Sequence, residues 1–367
     1  MSSSENTPPP VNCPNCGHPL AFDPAHGKLS CASCGQTFES GEPAEDGAQF
    51  HRHDFRAELA RLDSESESAE VLTLTCPGCA AEIVLPPNVT AARCPYCATP
   101  VNGAAQSSRK LRPASLLPFR ITEEQARMEY DKWLKSRWFL PGAVLKASHL
   151  TGISGNYLPF WIYDFDTQTS YTGMRGDYYY VTVSYTAQEN GKTVTRTRQE
   201  RRTRWWPAAG TVSNGFRNRL ITATRSAPAE LLDELEPWDL EALEPYGDEY
   251  IRGFQMESYS VPLADGFGTA AQRAEPEIEA AIRRDIGGDE QRICSADVNY
   301  RDIRFRHVLL PVWLAGYRYR EKNYIFTVNA RTGEVQGERP WSAWKITLLA
   351  AAIALIAGGV AFFLMNR

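Results

Sequence analysis

No nucleotide-binding or hydrolytic signature punctuates this chain. It holds no G-x-x-x-x-G-K-[ST] loop, no G-x-S-x-G elbow and no H-E-x-x-H helix. A phosphate-cradling motor, an elbow-type serine hydrolase and a zincin protease therefore lack their sequence basis. Lys28 and Lys192 each follow a glycine, outside any loop-to-helix context, and Asp285-Ile-Gly-Gly-Asp289 follows a helical pattern, where it reads as a helix stop. Basic charge is also scarce. The first 105 residues carry 13 acidic side chains against 5 basic ones, and the chain as a whole has a net charge of −5. Lys and Arg contacts to phosphate supply most nucleic-acid affinity, so this region is poorly equipped for it. The polar, Pro-rich stretch Met1 to Val11 lacks an apolar run and is read as a disordered lead rather than a signal peptide. On these grounds no catalysis and no small-molecule substrate are expected.

Cysteine supplies what those motifs do not. Eight of the nine fall into two copies of one pattern, Cys13-x2-Cys16-x14-Cys31-x2-Cys34 and Cys76-x2-Cys79-x14-Cys94-x2-Cys97, offset by 63 residues. Two knuckles joined by a short hairpin place four thiolates in a tetrahedron, the arrangement zinc prefers, and disulfide frameworks need no such paired spacing. Two zinc ions are expected, one per ribbon, each four-thiolate site adding a charge of about −2. Thiolate sites imply a reducing compartment. A ribbon that serves as a staple or docking surface needs no positive charge, so docking is favoured over nucleic acid.

One long apolar run exists, at the far end. Ile346 to Leu364 contains 19 uncharged residues, enough as a helix for about 28 Å, close to a bilayer core of about 30 Å. Trp341 and Trp344 precede it where an aromatic belt belongs, with Arg339 and Lys345 on the same side. The run has no amphipathic stripe, which argues against a buried core helix. A single-pass cell-membrane protein is expected, with the bulk of the chain facing the cytoplasm.

Between these ends the fold class expected is multidomain: two small four-cysteine zinc ribbons, an α+β domain with an antiparallel sheet, and one C-terminal transmembrane helix. The boundaries read as a lead at 1–10, ribbon one at 11–39, an acidic linker with a short helix at 40–71, ribbon two at 72–102, the α+β domain at 111–340 and the span at 346–364. In the linker, Phe55, Leu59 and Leu62 recur at helical spacing. Thr122 with Gln125 makes a capping box that opens a helix running to about Trp138, with Ala126, Tyr130, Trp133 and Leu134 as its apolar stripe. A long hairpin, 178–187 with 193–205, turns through Asn190-Gly191. Helices follow over about 229–243 and 270–286, then a meander of strands at 298–310, 312–319 and 324–328.

That hairpin carries the basic cluster. A two-residue turn sets Tyr185 opposite Arg196, Val183 opposite Arg198 and Tyr179 opposite Arg202, which gathers Arg196, Arg198, Arg202 and Arg204 on one face. Such a face is commonly solvated, with Arg stacked on cross-strand Tyr. An acidic protein partner, anionic lipid or single-stranded nucleic acid are the functional alternatives. His51, His53, His18 and His26 are read as non-ligands, and Cys294 as a buried thiol.

Several stretches add a resemblance. The twin CPxC-type ribbons, Leu116-Leu-Pro-Phe119, Arg137-Trp-Phe-Leu-Pro141, Tyr157-Leu-Pro-Phe-Trp161, Asp285-Ile-Gly-Gly-Asp289, His307-Val-Leu-Leu-Pro-Val-Trp313, Val328-Asn-Ala-Arg-Thr-Gly-Glu-Val335 and Glu338-Arg-Pro-Trp-Ser342 resemble bacterial membrane-anchored zinc-ribbon proteins. Such proteins are described as containing a transcription-factor-IIB-type zinc ribbon, and some carry primosomal or superfamily II helicase labels. The resemblance implies envelope-stress membrane components partnered with phage-shock-type or flotillin-like (SPFH) proteins. The reading is a non-enzymatic, tail-anchored scaffold; its rival is a nucleic-acid-binding replication accessory.

Overall fold

The computed structural model describes residues 12–39, 52–63, 69–75, 82–84, 91–93, 100–102, 106–142, 144, 153–189, 192–319 and 322–365. The first knuckle pair frames a three-stranded sheet of β1 (Leu20–Asp23), β2 (Lys28–Cys31) and β3 (Thr37–Phe38). Its hairpin turns over residues 24–27: Asp23 accepts from the amides of Ala25 and Gly27, both at 2.9 Å, and Gly27 has φ +65°. Next come β4 (His53–Asp54) and helix α1 (Phe55–Asp63). The predicted stripe of α1 faces inward, with Phe55 buried and Leu59 and Leu62 half-buried against the same cluster.

Around the second cysteine set the backbone forms β5 (Ala69–Thr75), β6 (Glu82–Val84), β7 (Ala91–Arg93), β8 (Pro100–Asn102) and β9 (Gln106–Lys110). β5 pairs antiparallel with β6 and β9, and β7 with β8. Thus β5 ends one residue before Cys76 and β7 one residue before Cys94, while the four cysteines themselves lie outside the described residues.

A nine-stranded sheet organises the rest. After β10 (Ser115–Leu116) and helix α2 (Glu123–Ser136) come two very long strands, β11 (Ser154–Glu189) and β12 (Lys192–Thr222). Short elements follow: α3 (Ala229–Asp233), β13 (Glu244–Pro245), α4 (Asp248–Ile251) and β14 (Gln255–Met256). Helix α5 (Leu263–Ile286), β15 (Glu290–Tyr319), β16 (Lys322–Asn329), β17 (Val335–Gly337) and helix α6 (Ala343–Met365) complete the order. The central path runs β12-β11-β15-β10-β13, with β16, β14 and β4 paired at its margins. Both hydrogen bonds of the expected capping box form on α2, where Ala126, Tyr130 and Leu134 are buried.

One expected break is absent because the sheet accommodates proline. The sequence pattern separates two strands at Pro311, yet β15 runs straight through it. Its missing N–H falls where β16 has just ended: Ala330, the first residue past Asn329, donates to the Pro311 carbonyl at 3.1 Å. Pro159 repeats the device in β11, its carbonyl accepting from Ala223, the first residue past β12, at 3.0 Å. A proline costs a ladder bond only where a partner strand would have accepted its N–H. The predicted 229–243 helix shortens to α3 and one 3-10 turn at Leu240–Ala242.

The two sheet faces bury different partners. Leu158, Phe160 and Ile162 of β11, with Val308, Leu310 and Val312 of β15, lie under Leu232, Leu235 and Trp238. Trp161, Tyr163 and Phe165 on the opposite face lie under α5, whose Leu263, Ala270, Ala274, Ile278, Ile282 and Ile286 form the buried stripe. Each such isoleucine contributes about 2 kcal/mol by leaving water. Helix α5 starts seven residues earlier than its apolar pattern predicts, since Gly266 and Gly268 dilute the signal in its first turns. Gly266 is needed there: a Cβ would stand 2.6 Å from the Tyr163 hydroxyl and 2.7 Å from Trp161. Tyr163 Oη donates to the Leu263 carbonyl at 2.6 Å, and Trp161 Nε1 to Val261 at 3.0 Å, which ties the helix start to the sheet.

Candidate metal centre and associated surfaces

The two knuckles of the first ribbon are built alike. Cys13 N–H donates to the His18 carbonyl at 2.7 Å and Gly17 N–H to the Cys13 carbonyl at 2.8 Å. In the second knuckle, Cys31 N–H donates to Gln36 and Gly35 N–H to Cys31, both at 2.9 Å. Gly17 and Gly35 each have φ +73°, a left-handed conformation that closes the turn and is costly for other L residues. The hairpin between the knuckles brings their thiols together.

All four Sγ atoms lie within 4.8 Å of one another. Cys13 and Cys34 approach to 3.5 Å and Cys16 and Cys31 to 3.4 Å, too far for disulfides of about 2.05 Å. A tetrahedral ion with metal–sulfur bonds of about 2.3 Å sets its thiolates about 3.8 Å apart, so the tetrad fits without rearranging its backbone. Cys13 and Cys31 are buried, while Cys16 and Cys34 face solvent. The second cysteine of each knuckle receives an amide from two residues on. At Cys34 the Gln36 amide, helped by the Cys13 thiol, holds the group down to about 6. At Cys16 the His18 amide acts in the same sense, but the Cys31 thiol and desolvation outweigh it and the group stands at about 11. The Gln36 amide thus favours the thiolate form of Cys34, the form in which a soft cation is bound. These four residues could hold a metal ion.

Histidine takes other work here. His26 Nδ1 pairs with Asp23 Oδ2 at 2.6 Å beside the hairpin turn, and His53 lies on β4 with its ring 5.7 Å from Phe305. His51, like Cys76, Cys79, Cys94 and Cys97, lies outside the described residues. Cys294 corrects its expectation of burial. It is exposed, because it is the extra residue of a bulge where Thr172 pairs with Ser295 and Gly173 with Ile293.

The ribbon also has a seat that no local pattern revealed. Leu20, Phe22 and Leu29 join one continuous apolar cluster with Phe119, Tyr130, Tyr157 and Trp313 of the sheet domain. Tyr250 and Phe254 pack against that cluster, and the Phe22 amide donates to the Arg252 carbonyl at 2.9 Å.

The hairpin register follows the turn. Tyr185 opposes Arg196, Val183 opposes Arg198, Tyr179 opposes Arg202 and Asp177 opposes Arg204. β15 leaves β11 at Gly176, so Asp177–Glu189 and Lys192–Arg204 continue as a two-stranded arm of about 40 Å at 3.3 Å per residue. Its arginines lie over tyrosines diagonal to them: Arg204 over Tyr179 at 5.0 Å and Arg198 over Tyr185 at 5.7 Å. Arg202 pairs with Glu200 at 3.6 Å, and on the reverse face Arg201 covers Tyr178 at 4.1 Å. Each stack contributes about 0.5–1 kcal/mol at such exposure and leaves the guanidinium edge open to an anion.

At the other end, Ala343–Phe362 is long and apolar enough to cross a membrane, and none of it is buried among the described residues. No protein-family model matches the chain, and no solved structure matches it. The chain is similar to an uncharacterized Bacillus subtilis (strain 168) protein, YdjG, at 28% identity over 354 residues, covering 95% of this chain and 94% of that one.

Proposed function

We propose that this protein is a non-catalytic, zinc-binding scaffold, tethered to the membrane by α6 with its ribbons and sheet domain in the cytoplasm. The reading rests on one conjunction: a preformed tetrad of thiols on the same chain as an apolar helix that stays unburied among the described residues. A second zinc site at Cys76, Cys79, Cys94 and Cys97 completes the reading, with the sequence repeat as its support. Zinc has no redox chemistry of its own, and a closed four-thiolate shell leaves no position for substrate, so its part is to hold a shape. The docking surfaces are the acidic ribbons and the Arg–Tyr arm, and the arm offers Arg196, Arg198, Arg202 and Arg204 to an acidic protein partner. Partners of the phage-shock or SPFH type are the ones the family resemblance implies.

Affinity purification of the full-length protein from bacterial membranes tests this. Co-purifying membrane-associated proteins are expected with wild type and are expected to be lost when the four arm arginines are replaced by Ser. Steeply salt-dependent DNA binding by the purified protein, with no protein partner, would instead support a nucleic-acid accessory.

A further inference from the structure

Helix α6 does not leave the domain alone. The segment following α2, some 200 residues earlier in sequence, is fastened to its base. Ser342 N–H donates to the Phe139 carbonyl at 2.9 Å, and Lys345 Nζ donates to the carbonyls of Trp138 and Leu140, both at 2.9 Å. Leu140 is fully buried beneath, so the segment cannot swing away without opening the core. Trp138 nevertheless turns outward and is 76% exposed, beside Trp344 at 65% and Trp341 at 59%. The rings form one surface: Trp138 lies 6.1 Å from Phe139, which lies 6.1 Å from Trp341, and Trp138 lines a groove with Trp344, Leu348 and Leu349 of α6. Arg339 lies over Trp341 at 4.6 Å and Arg137 over Trp133 at 4.8 Å, which sets cations around the aromatic patch.

Exposed indoles clustered around one apolar helix are poorly suited to water. Their apolar body and single N–H suit the headgroup layer of a bilayer. The flanking guanidinium groups match lipid phosphates at the same depth, and the patch is continuous with the helix surface that faces the acyl chains. We infer that Arg137–Phe139 is a second membrane contact, with Trp138 embedded in the phospholipid headgroup region of the bilayer that α6 crosses. The inference rests on the spanning role proposed for α6. Its consequence is orientation: a helix alone lets a domain rotate about the tether, whereas a second contact point fixes which face of the sheet domain looks toward the membrane.

The test uses full-length protein labelled with 5-fluorotryptophan in nanodiscs of phosphatidylethanolamine and phosphatidylglycerol. Fluorine resonances are assigned through Trp138→Phe and Trp344→Phe. Lipid spin-labelled at the headgroup should broaden away both resonances, while a soluble gadolinium chelate leaves them largely intact. Broadening of Trp344 alone by the lipid label, with Trp138 broadened by the chelate, would overturn the second contact and leave the anchor standing. Broadening of both by the chelate and neither by the lipid would overturn the anchor as well. Trp138→Phe changes one exposed ring, so its circular dichroism and melting temperature should match wild type.

Discussion

Phe22, at the centre of the ribbon hairpin, lies with its ring 5.3 Å from that of Tyr250, and its own amide donates to the neighbouring Arg252 carbonyl at 2.9 Å. The four-cysteine ribbon is therefore seated on the sheet domain by a ring contact and a backbone bond together. Phe22 is buried and Tyr250 half-buried against the same cluster, so the seat is continuous with the domain core. Phe22→Ala should remove about 3 kcal/mol of stability, the usual cost of deleting a buried phenylalanine side chain. Chemical denaturation with zinc present checks this. An unchanged midpoint would mean the ribbon contributes nothing to the domain it rests on.

The knuckle glycines give a prediction about metal affinity. Neither Gly17 nor Gly35 has a heavy atom within 4 Å of the position a Cβ would take, so crowding is no obstacle to a side chain. Only the left-handed backbone resists, at about 1–2 kcal/mol for an ordinary residue and less for Asn. Gly35→Ala should weaken binding of the metal roughly tenfold, and Gly35→Asn should weaken it much less, as read by competition with a chromogenic chelator. Equal effects of the two substitutions would argue against backbone strain as the cause.

Gly266 is the opposite case, since space is what it lacks. Its neighbours are the fully buried Tyr163 and Trp161, so Gly266→Ala must push α5 away from the sheet. Overpacking of this kind costs about 1–3 kcal/mol, more than the helix gains from alanine. Thermal melting should show a lowered transition. A raised melting temperature would mean that the helix start is not held by the Tyr163 and Trp161 hydrogen bonds.

Alkali should unfold the domain for a reason that can be placed. Tyr171 Oη donates to Asp285 Oδ2 at 2.6 Å, and that bond, with burial, raises the phenol to about 12. Burial raises Tyr157 and Tyr163 further. A phenol whose folded pKa exceeds its unfolded value of about 10 contributes stability that is whole below pH 10 and is lost as pH rises towards the folded value. Stability should therefore hold to about pH 10 and then fall, with part of the 295 nm tyrosine absorbance appearing only as the protein unfolds. Smooth titration of every tyrosine near pH 10 in a folded protein would contradict the burial argument.

How much of this was legible in the sequence depended on the range of each interaction. The Cys13-to-Cys34 tetrad, the Thr122 capping box and the Tyr185–Arg196 register are local, fixed by spacing and turn chemistry, and the fold reproduces them. Strand lengths were less legible, because Pro311 reads as a break until the end of β16 is known. The seat of Phe22 on Tyr250 and the clasp of Lys345 on Trp138 join segments some 200 residues apart, and no periodic pattern announces such a pairing. Cys294 shows the same limit on a small scale: one bulge residue in β15 reverses the expected burial of a thiol.

The proposed function needs a zinc-held ribbon and a membrane helix in one working molecule. Its decisive measurement is the zinc stoichiometry of the full-length chain recovered from the carbonate-resistant membrane fraction. Two zinc ions per chain are expected, one of them lost on Cys31→Ser while the protein stays in the membrane fraction. Recovery of the chain in the soluble fraction, or in the membrane without zinc, would contradict it.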